Sequence, residues 1–189
     1  MLAAIILGCI ISGPIEAAVP ETGITVSTNF AYDLVGGVNL GVEYPISEKF
    51  SARADCLFPW FVWNSNQNAL QLLHVELGGR YYLSPSKPMS GIYLNVAAGA
   101  GYYDLGSKGK GYQGEELLLQ FGCGYARKLK GPWSIDLGLG LGPVISKYRR
   151  YEVNGKSNDL IYRNDGRFFY FGPTIIRASI SYTIYCKRR

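Results

Sequence analysis

The chain has one histidine, His74, so any acid–base or metal chemistry that needs imidazole must use this side chain. Metal sites usually combine several histidine, cysteine or carboxylate ligands, and no such group clusters around His74 in the sequence. A Ser-His-Asp hydrolase would also need a serine beside it, which sequence alone cannot place. We predict no catalytic residue and no metal site, and interpret His74 as a hydrogen-bonded wall residue. An outer-membrane enzyme acting on lipid or peptide is the first alternative, and a nucleophile within reach of His74 would favour it.

A glycine-rich segment, Gly109–Gly114, has the spacing G-x-G-x-x-G, and Asp136 follows downstream. A dinucleotide site also needs a helix after the glycines, packed on a parallel sheet. Here Leu117–Tyr125 alternates in the manner of a strand, with Gly122 and Gly124 at every second position. The segment therefore predicts a flexible surface loop, and we predict no cofactor.

A basic segment near the C-terminus, Arg149–Arg167, predicts a long polar loop that contains interleaved tyrosines. Loops on a rigid scaffold often carry binding residues. The candidate binding residues are Arg149, Arg150, Tyr151 and Arg163. The net charge of the chain is +5, and for an exported protein this favours anionic lipid head groups, anionic glycans or surface proteins as partners. Nucleic acid is not an expected partner.

The elements that carry these residues are strands, because small and large apolar residues alternate with period two along most of the chain. Gly138, Gly140 and Gly142, for example, alternate with leucines. Most segments reach or approach the roughly ten residues that a tilted strand needs to cross a bilayer. The eight predicted strands are Ile24–Tyr32, Val38–Tyr44, Phe50–Trp60, Leu72–Leu83, Ile92–Tyr103, Leu117–Arg127, Trp133–Ser146 and Tyr170–Ile184.

This pattern predicts an all-β fold, an eight-stranded antiparallel up-and-down transmembrane β-barrel with outer-membrane lipid around it. Short turns alternate with longer loops, and aromatic residues cluster at both strand ends, as head-group belts require. An even strand number places both termini in the periplasm. Parity assigns a set of charged residues to the lumen, where they must pair and form a plug without channel activity. The predicted network consists of Glu43, Arg53, Asp55, Glu76, Arg80, Asp136 and Arg177.

The N-terminal segment resembles a targeting sequence, since Leu2–Ile11 is apolar but too short to span a bilayer. We predict a signal peptide at residues 1–18 and a barrel domain at residues 19–189. Lipid attachment at Cys9 is the alternative to simple cleavage. The mature chain would then keep Cys56, Cys123 and Cys186, an odd number that predicts no disulfide framework.

Four short motifs are similar to those of an uncharacterised family of Gram-negative outer-membrane β-barrels, distantly like the outer-membrane protein A type. These motifs are Thr28-Asn29-Phe30-Ala31-Tyr32-Asp33, Glu76-Leu77-Gly78-Gly79-Arg80-Tyr81-Tyr82, Gly111-Tyr112-Gln113-Gly114 and Phe171-Gly172-Pro173-Thr174. The resemblance covers about Ile24 to Tyr185. The chain departs from the family pattern at Ile175, where the family often has a basic residue. It also continues in a basic tail after Tyr185, whereas barrels commonly stop at an aromatic residue. The resemblance implies the outer membrane and no known activity, so the expected role is structural or surface interaction.

The second alternative is a soluble calycin-like barrel that holds a small apolar ligand. In that protein the apolar face of each strand would point inward and the charged residues would point outward. The two architectures therefore differ in which parity of residues faces out of the sheet.

Overall fold

The structure is a computed structural model that describes residues 23–34, 36–64, 67–83, 85, 87–154 and 159–185. The predicted signal peptide at 1–18, Cys9 and Cys186 lie outside these ranges. No helix among the described residues is long and apolar enough to cross a membrane.

Nine antiparallel strands and one short helix make up the described chain. The strands are β1 (Gly23–Asn29), β2 (Asn39–Pro45), β3 (Phe50–Leu57), β4 (Trp60–Trp63), β5 (Asn68–Tyr82), β6 (Gly91–Ser107), β7 (Lys110–Lys128), β8 (Trp133–Val153) and β9 (Leu160–Tyr185). Helix α1 (Phe30–Asp33) follows β1 directly.

The strands form one sheet that closes into a ring. Its order is β3-β2-β1-β9-β8-β7-β6-β5-β4, and an additional pairing of β3 with β5 joins the two sides. The all-β antiparallel prediction is confirmed. Such a ring pairs strands that are far apart in sequence, and it leaves an interior that side chains from non-neighbouring strands can share.

The predicted number of eight strands is wrong, because the third predicted strand, Phe50–Trp60, ends early at Leu57 and a separate strand, β4, begins at Trp60 and continues to Trp63. β3 pairs with His74–Tyr81 of β5, and β4 pairs with Asn68–Gln71 of the same strand. Pro59 lies between them. A proline has no N–H for a ladder, and only its carbonyl takes part, accepting from the N–H of Leu72 at 2.9 Å.

The later strands are longer than predicted, and the predicted loops at 109–114 and 149–167 are mostly strand. β6 and β7 join at Lys108 and Gly109, whose φ angles of 54° and 76° suit a two-residue hairpin turn. We call the end of the ring that carries the turn at Lys108 and Gly109 the upper end. There, beyond the apolar part of the sheet, polar residues occupy both faces of β6 to β9. The polar composition of these segments therefore predicted loops, although their backbone continues the hydrogen-bonded pairing between strands.

The first predicted strand ends early, at Asn29 instead of Tyr32, because Asn29 caps α1. The Asn29 side chain accepts a hydrogen bond from the N–H of Ala31 at 3.2 Å. Asn39 holds the same corner, accepting from the N–H of Asn29 at 2.7 Å and donating to the Asp33 carboxylate at 2.7 Å. Thr28 also donates to Asp33, at 2.9 Å. The first motif of the sequence thus forms the turn that leaves the sheet.

Candidate functional site: the charged interior and its cavity

The most enclosed ion pairs centre on Arg80, which is 3% exposed. Its guanidinium donates to Glu43 on β2 at 2.9 Å and to Asp136 on β8 at 2.6 Å. Tyr93 donates to Asp136 at 2.6 Å, and its ring lies 4.2 Å from the Arg80 guanidinium carbon. Tyr82 donates to Glu43 at 2.8 Å. Because β2, β5 and β8 are not neighbours, these contacts cross the interior of the ring.

A second layer is built from Arg53 and Arg177. Arg53 donates to Asp55 at 2.6 and 2.8 Å, to Ser27 at 2.9 Å, and more weakly to Glu43 at 3.4 Å. Arg177 reaches Asp55 at 3.2 Å, and its Nη2 lies 3.9 Å from a Glu76 oxygen.

The structure thus brings all seven predicted network residues into one connected interior cluster. With three arginines and four carboxylates, the cluster is close to electrically neutral. Buried charges are tolerated when each has an oppositely charged or hydrogen-bonding partner. The arrangement explains how so many ionic groups fit inside one small ring.

Glycines on neighbouring strands provide the space for these long side chains. A methyl group at Gly41 would overlap Arg53, Ser27 and Asp55, and one at Gly124 would overlap the Tyr93 ring. The small half of the alternating pattern therefore faces the interior, where it lets large polar side chains cross.

Above the second layer, toward the longer strand ends, lies a cavity of about 290 Å³. His74 is on its wall and pairs with Glu116 of β7, with Nδ1 and the carboxylate oxygen 3.0 Å apart. Nε2 of His74 lies close to Gly99, which has no side chain to fill that space. Among the described residues no hydroxyl or thiol is hydrogen-bonded to His74, so the arrangement of a serine hydrolase is not assembled there.

Several interior residues were not predicted from the sequence. Gln120, fully buried, donates to Glu76 at 3.3 Å and accepts from Thr174 at 2.9 Å. Glu116 and Gln120 share the parity of Gly122, so extending the alternation toward the N-terminus of β7 identifies them as inward residues. Tyr82 and Tyr93 also share the interior parity of their strands.

The candidate binding residues of the basic segment lie on strands instead of a loop. Arg149 lies 5.1 Å from the centre of the Tyr162 ring, and Arg150 is exposed on β8. Arg163 donates to Glu152 at 3.0 and 2.9 Å, and this bond holds the pKa of Glu152 below its ordinary value. Since these three arginines are exposed, they remain accessible to a partner.

Tyr151 is placed differently from those three arginines. It is 1% exposed and donates to Asp104 on β6 at 2.5 Å. Its ring lies over Gly106 and Gly111, where any side chain would collide with it. The prediction of Tyr151 as a surface contact is therefore wrong, because paired glycines give its ring a buried seat.

Of the predicted mature cysteines, Cys56 and Cys123 are described, and both are free thiols. They lie on β3 and β7, which are not neighbours in the ring. Cys123 is exposed on the outer face, and Cys56 is partly buried beside the cavity.

Comparison with known proteins gives a family and no characterised relative. The sequence model of a family described as "Protein of unknown function (DUF3575)" matches residues 4–184. No curated protein and no solved structure matches the chain.

Proposed function

The chain belongs to the DUF3575 family, and we propose that it is an integral outer-membrane β-barrel with a structural or surface-interaction role. Family membership supplies no activity, so the proposal depends on the distribution of apolar and charged side chains over the closed sheet. The eight strands β1–β3 and β5–β9 would form the transmembrane wall, while β4 continues the line of β3.

The observation that carries the proposal is the apolar outer surface. Along β8 every second residue from Ile135 to Leu141, and again Ile145, is apolar and 37 to 60% exposed. Similar rows run along its neighbours, for example Leu117, Leu119 and Phe121 on β7. Soluble monomers rarely expose contiguous apolar patches above a few hundred Å². A surface of this kind needs a lipid partner.

The height of the apolar surface suits a bilayer. From Ile135 to Ile145 the chain advances ten residues. At about 3.4 Å per residue and a strand tilt of about 40°, this gives roughly 25 Å, the height of the apolar band on membrane barrels. Lys147 follows on the same face, opposite Arg167 on β9. The change from apolar to charged residues marks the proposed head-group level.

The aromatic residues at the other end agree with this placement. Trp133 and Tyr182 form an edge-to-face pair on neighbouring strands, with ring centres 5.0 Å apart. Phe50 and Tyr81 also pair, as tilted rings with centres 4.8 Å apart. Amphipathic rings favour the interface between hydrocarbon and water. This end of the ring carries the short turns, the start of β1 and the end of β9. We assign it to the periplasmic side.

The interior supports a plug more than a channel. Arg80, Gln120 and Tyr93 are each no more than 3% exposed, and the ion pairs around Arg80 connect three different strands across the ring. The outward direction of the apolar rows argues against the soluble calycin-like alternative, which requires an apolar interior. Among the described residues, no hydroxyl or thiol is hydrogen-bonded to His74 to support an enzymatic role.

The proposal is tested by membrane fractionation of cells that produce the full chain. We expect the protein in outer membranes, resistant to carbonate extraction, and running faster on gels when it is not heated. The parity control compares Leu139→Glu, on the outer face, with Leu118→Glu, at an inward, partly exposed position on the cavity wall. Leu139→Glu should abolish membrane assembly, whereas Leu118→Glu should largely retain it. Recovery of the parent chain as a soluble periplasmic monomer would refute the proposal.

A further inference from the structure

The wall of the ring is incomplete beside the cavity, at the upper part of β9. β1 pairs with β9 only from Ser179 to Tyr185. The Asn29 side chain extends this ladder by one step, since it donates to the Ile176 carbonyl at 2.9 Å and accepts from the Ala178 N–H at 3.0 Å. Toward Leu160, no described strand pairs with this edge of β9. The chain has instead turned into α1, which lies against β9.

This free edge lies within the apolar band. Phe169, Phe171 and Ile176 on β9 are 59 to 68% exposed on the outer face. An open sheet edge in hydrocarbon is strongly disfavoured unless its polar groups are satisfied or covered. Pro173 removes one N–H from the edge, and the Tyr170 hydroxyl donates to the Pro173 carbonyl at 3.3 Å. The edge is thus adapted to remain without a partner strand.

The cavity lies directly behind this opening. Its lining includes Asn29 and Tyr32 from one side of the opening and Pro173 and Thr174 from the other. The cavity wall combines polar and charged residues with apolar ones, and the apolar side chains provide most of its exposed area. The apolar wall residues are Leu57, Leu72, Leu118, Val144 and Ile175.

From these observations we propose that the cavity binds the single acyl chain of an uncharged amphiphile, which enters from the bilayer through the opening between α1 and β9. The inference rests on the proposed membrane location. A volume of about 290 Å³ is at the lower limit of small-molecule sites, roughly 300–1,000 Å³. It is smaller than a whole eighteen-carbon chain, so part of one chain would enter it while the rest stays in the bilayer at the opening, and a two-chain lipid is excluded.

The polar end of the cavity selects the head group. Arg177 and Ser179 line the cavity, both more than nine-tenths buried. Within the described chain, Arg177 Nη1 and Ser179 Oγ have no hydrogen-bond partner. A guanidinium N–H needs an acceptor, so a protonated amine head group, which can only donate, does not fit. Asp55 and Glu76 already balance the charges of Arg53 and Arg177, so a fatty-acid carboxylate would add an uncompensated negative charge. An ester or hydroxyl oxygen, as in a monoacylglycerol, supplies an acceptor without charge.

The test is native mass spectrometry of the full chain released from detergent micelles, titrated with monoolein, oleic acid or oleylamine. We expect saturable binding of one monoolein, at least tenfold tighter than of the two charged chains. Leu118→Trp, which fills the cavity, should weaken it at least tenfold. The matched control, Leu119→Trp, is the adjacent residue on the outer face and should leave binding unchanged. If Leu118→Trp does not fold, Val144→Phe narrows the same cavity from the neighbouring strand.

Three outcomes would overturn the inference: no saturable binding, equal loss in both tryptophan variants, or preference for a charged chain. Equal loss would indicate adsorption on the outer surface, and a charged preference would contradict the assigned head group. A heat-modifiability gel of the same samples separates this inference from the proposed function. A protein that folds in micelles and binds nothing refutes only the cavity ligand, whereas one that never enters micelles or bilayers refutes the membrane location.

Discussion

Removing the Arg80 guanidinium should destabilise the protein far more than trimming its outer surface. Arg80 is 3% exposed and joins Glu43 and Asp136 at 2.9 and 2.6 Å. Breaking a buried ion pair from one side typically costs about 3–5 kcal/mol, because the remaining charge stays buried without its partner. Arg80→Met removes the charge while retaining an apolar stem, so we expect a loss within that range.

The two carboxylates around Arg80 should respond unequally to its loss. Glu43 keeps a hydrogen bond from Ser51, a hydrogen bond from Tyr82, and Arg53 at 3.4 Å. Within the described chain, Asp136 keeps one hydrogen bond, from Tyr93 at 2.6 Å. Most of the cost should therefore arise at Asp136, and the double variant Arg80→Met/Asp136→Asn should recover at least half of it.

The assay is urea unfolding of the protein folded into lipid vesicles, followed by tryptophan fluorescence and by gel mobility without heating. Leu139→Ala is the control, because Leu139 is 60% exposed on the outer face and lipid can fill the space that the smaller side chain leaves. We expect it to lose much less than a buried leucine, for which roughly 2–5 kcal/mol is typical. If Arg80→Met unfolds like the parent while Leu139→Ala loses several kcal/mol, the assignment of inside and outside is reversed.

Other variants test the interior and the strand order. Gly124→Val should prevent folding, measured by gel mobility, since its side chain would overlap the Tyr93 ring; normal folding would contradict the crossing of that ring. Tyr151→Phe should cost about 1–3 kcal/mol in urea unfolding by leaving a buried carboxylate without its donor, and an unchanged midpoint would argue against this bond. Cys56 and Cys123 should remain separate thiols under oxidation, whereas a disulfide between them in the folded protein would contradict the order of the ring. Planar bilayers should show no steady conductance, and stable pores of porin size would refute the filled interior.

The sequence by itself determined the all-β class and the two faces of each strand. Alternation is a local property, because successive side chains of a strand point to opposite sides whatever the strand pairs with. Gly138 and Leu139 can therefore be assigned to different faces without any knowledge of neighbours. The same parity selected the seven charged residues that the structure brings together, since a charge between apolar neighbours has few other places to lie.

Only the tertiary structure decided which of these residues meet. The partners of Arg80 come from β2 and β8, far apart in sequence, and they depend on the ring order and register that long-range pairing sets. The extension of β8 through its polar segment and the burial of Tyr151 have the same origin. Local composition predicted loop there, but neighbouring strands satisfied the backbone and paired glycines made room for the ring. The opening beside β9 exists because the chain turns into α1 at Asn29. Side-chain hydrogen bonds at this corner cause the turn, and the alternation of residues along the sequence does not predict them.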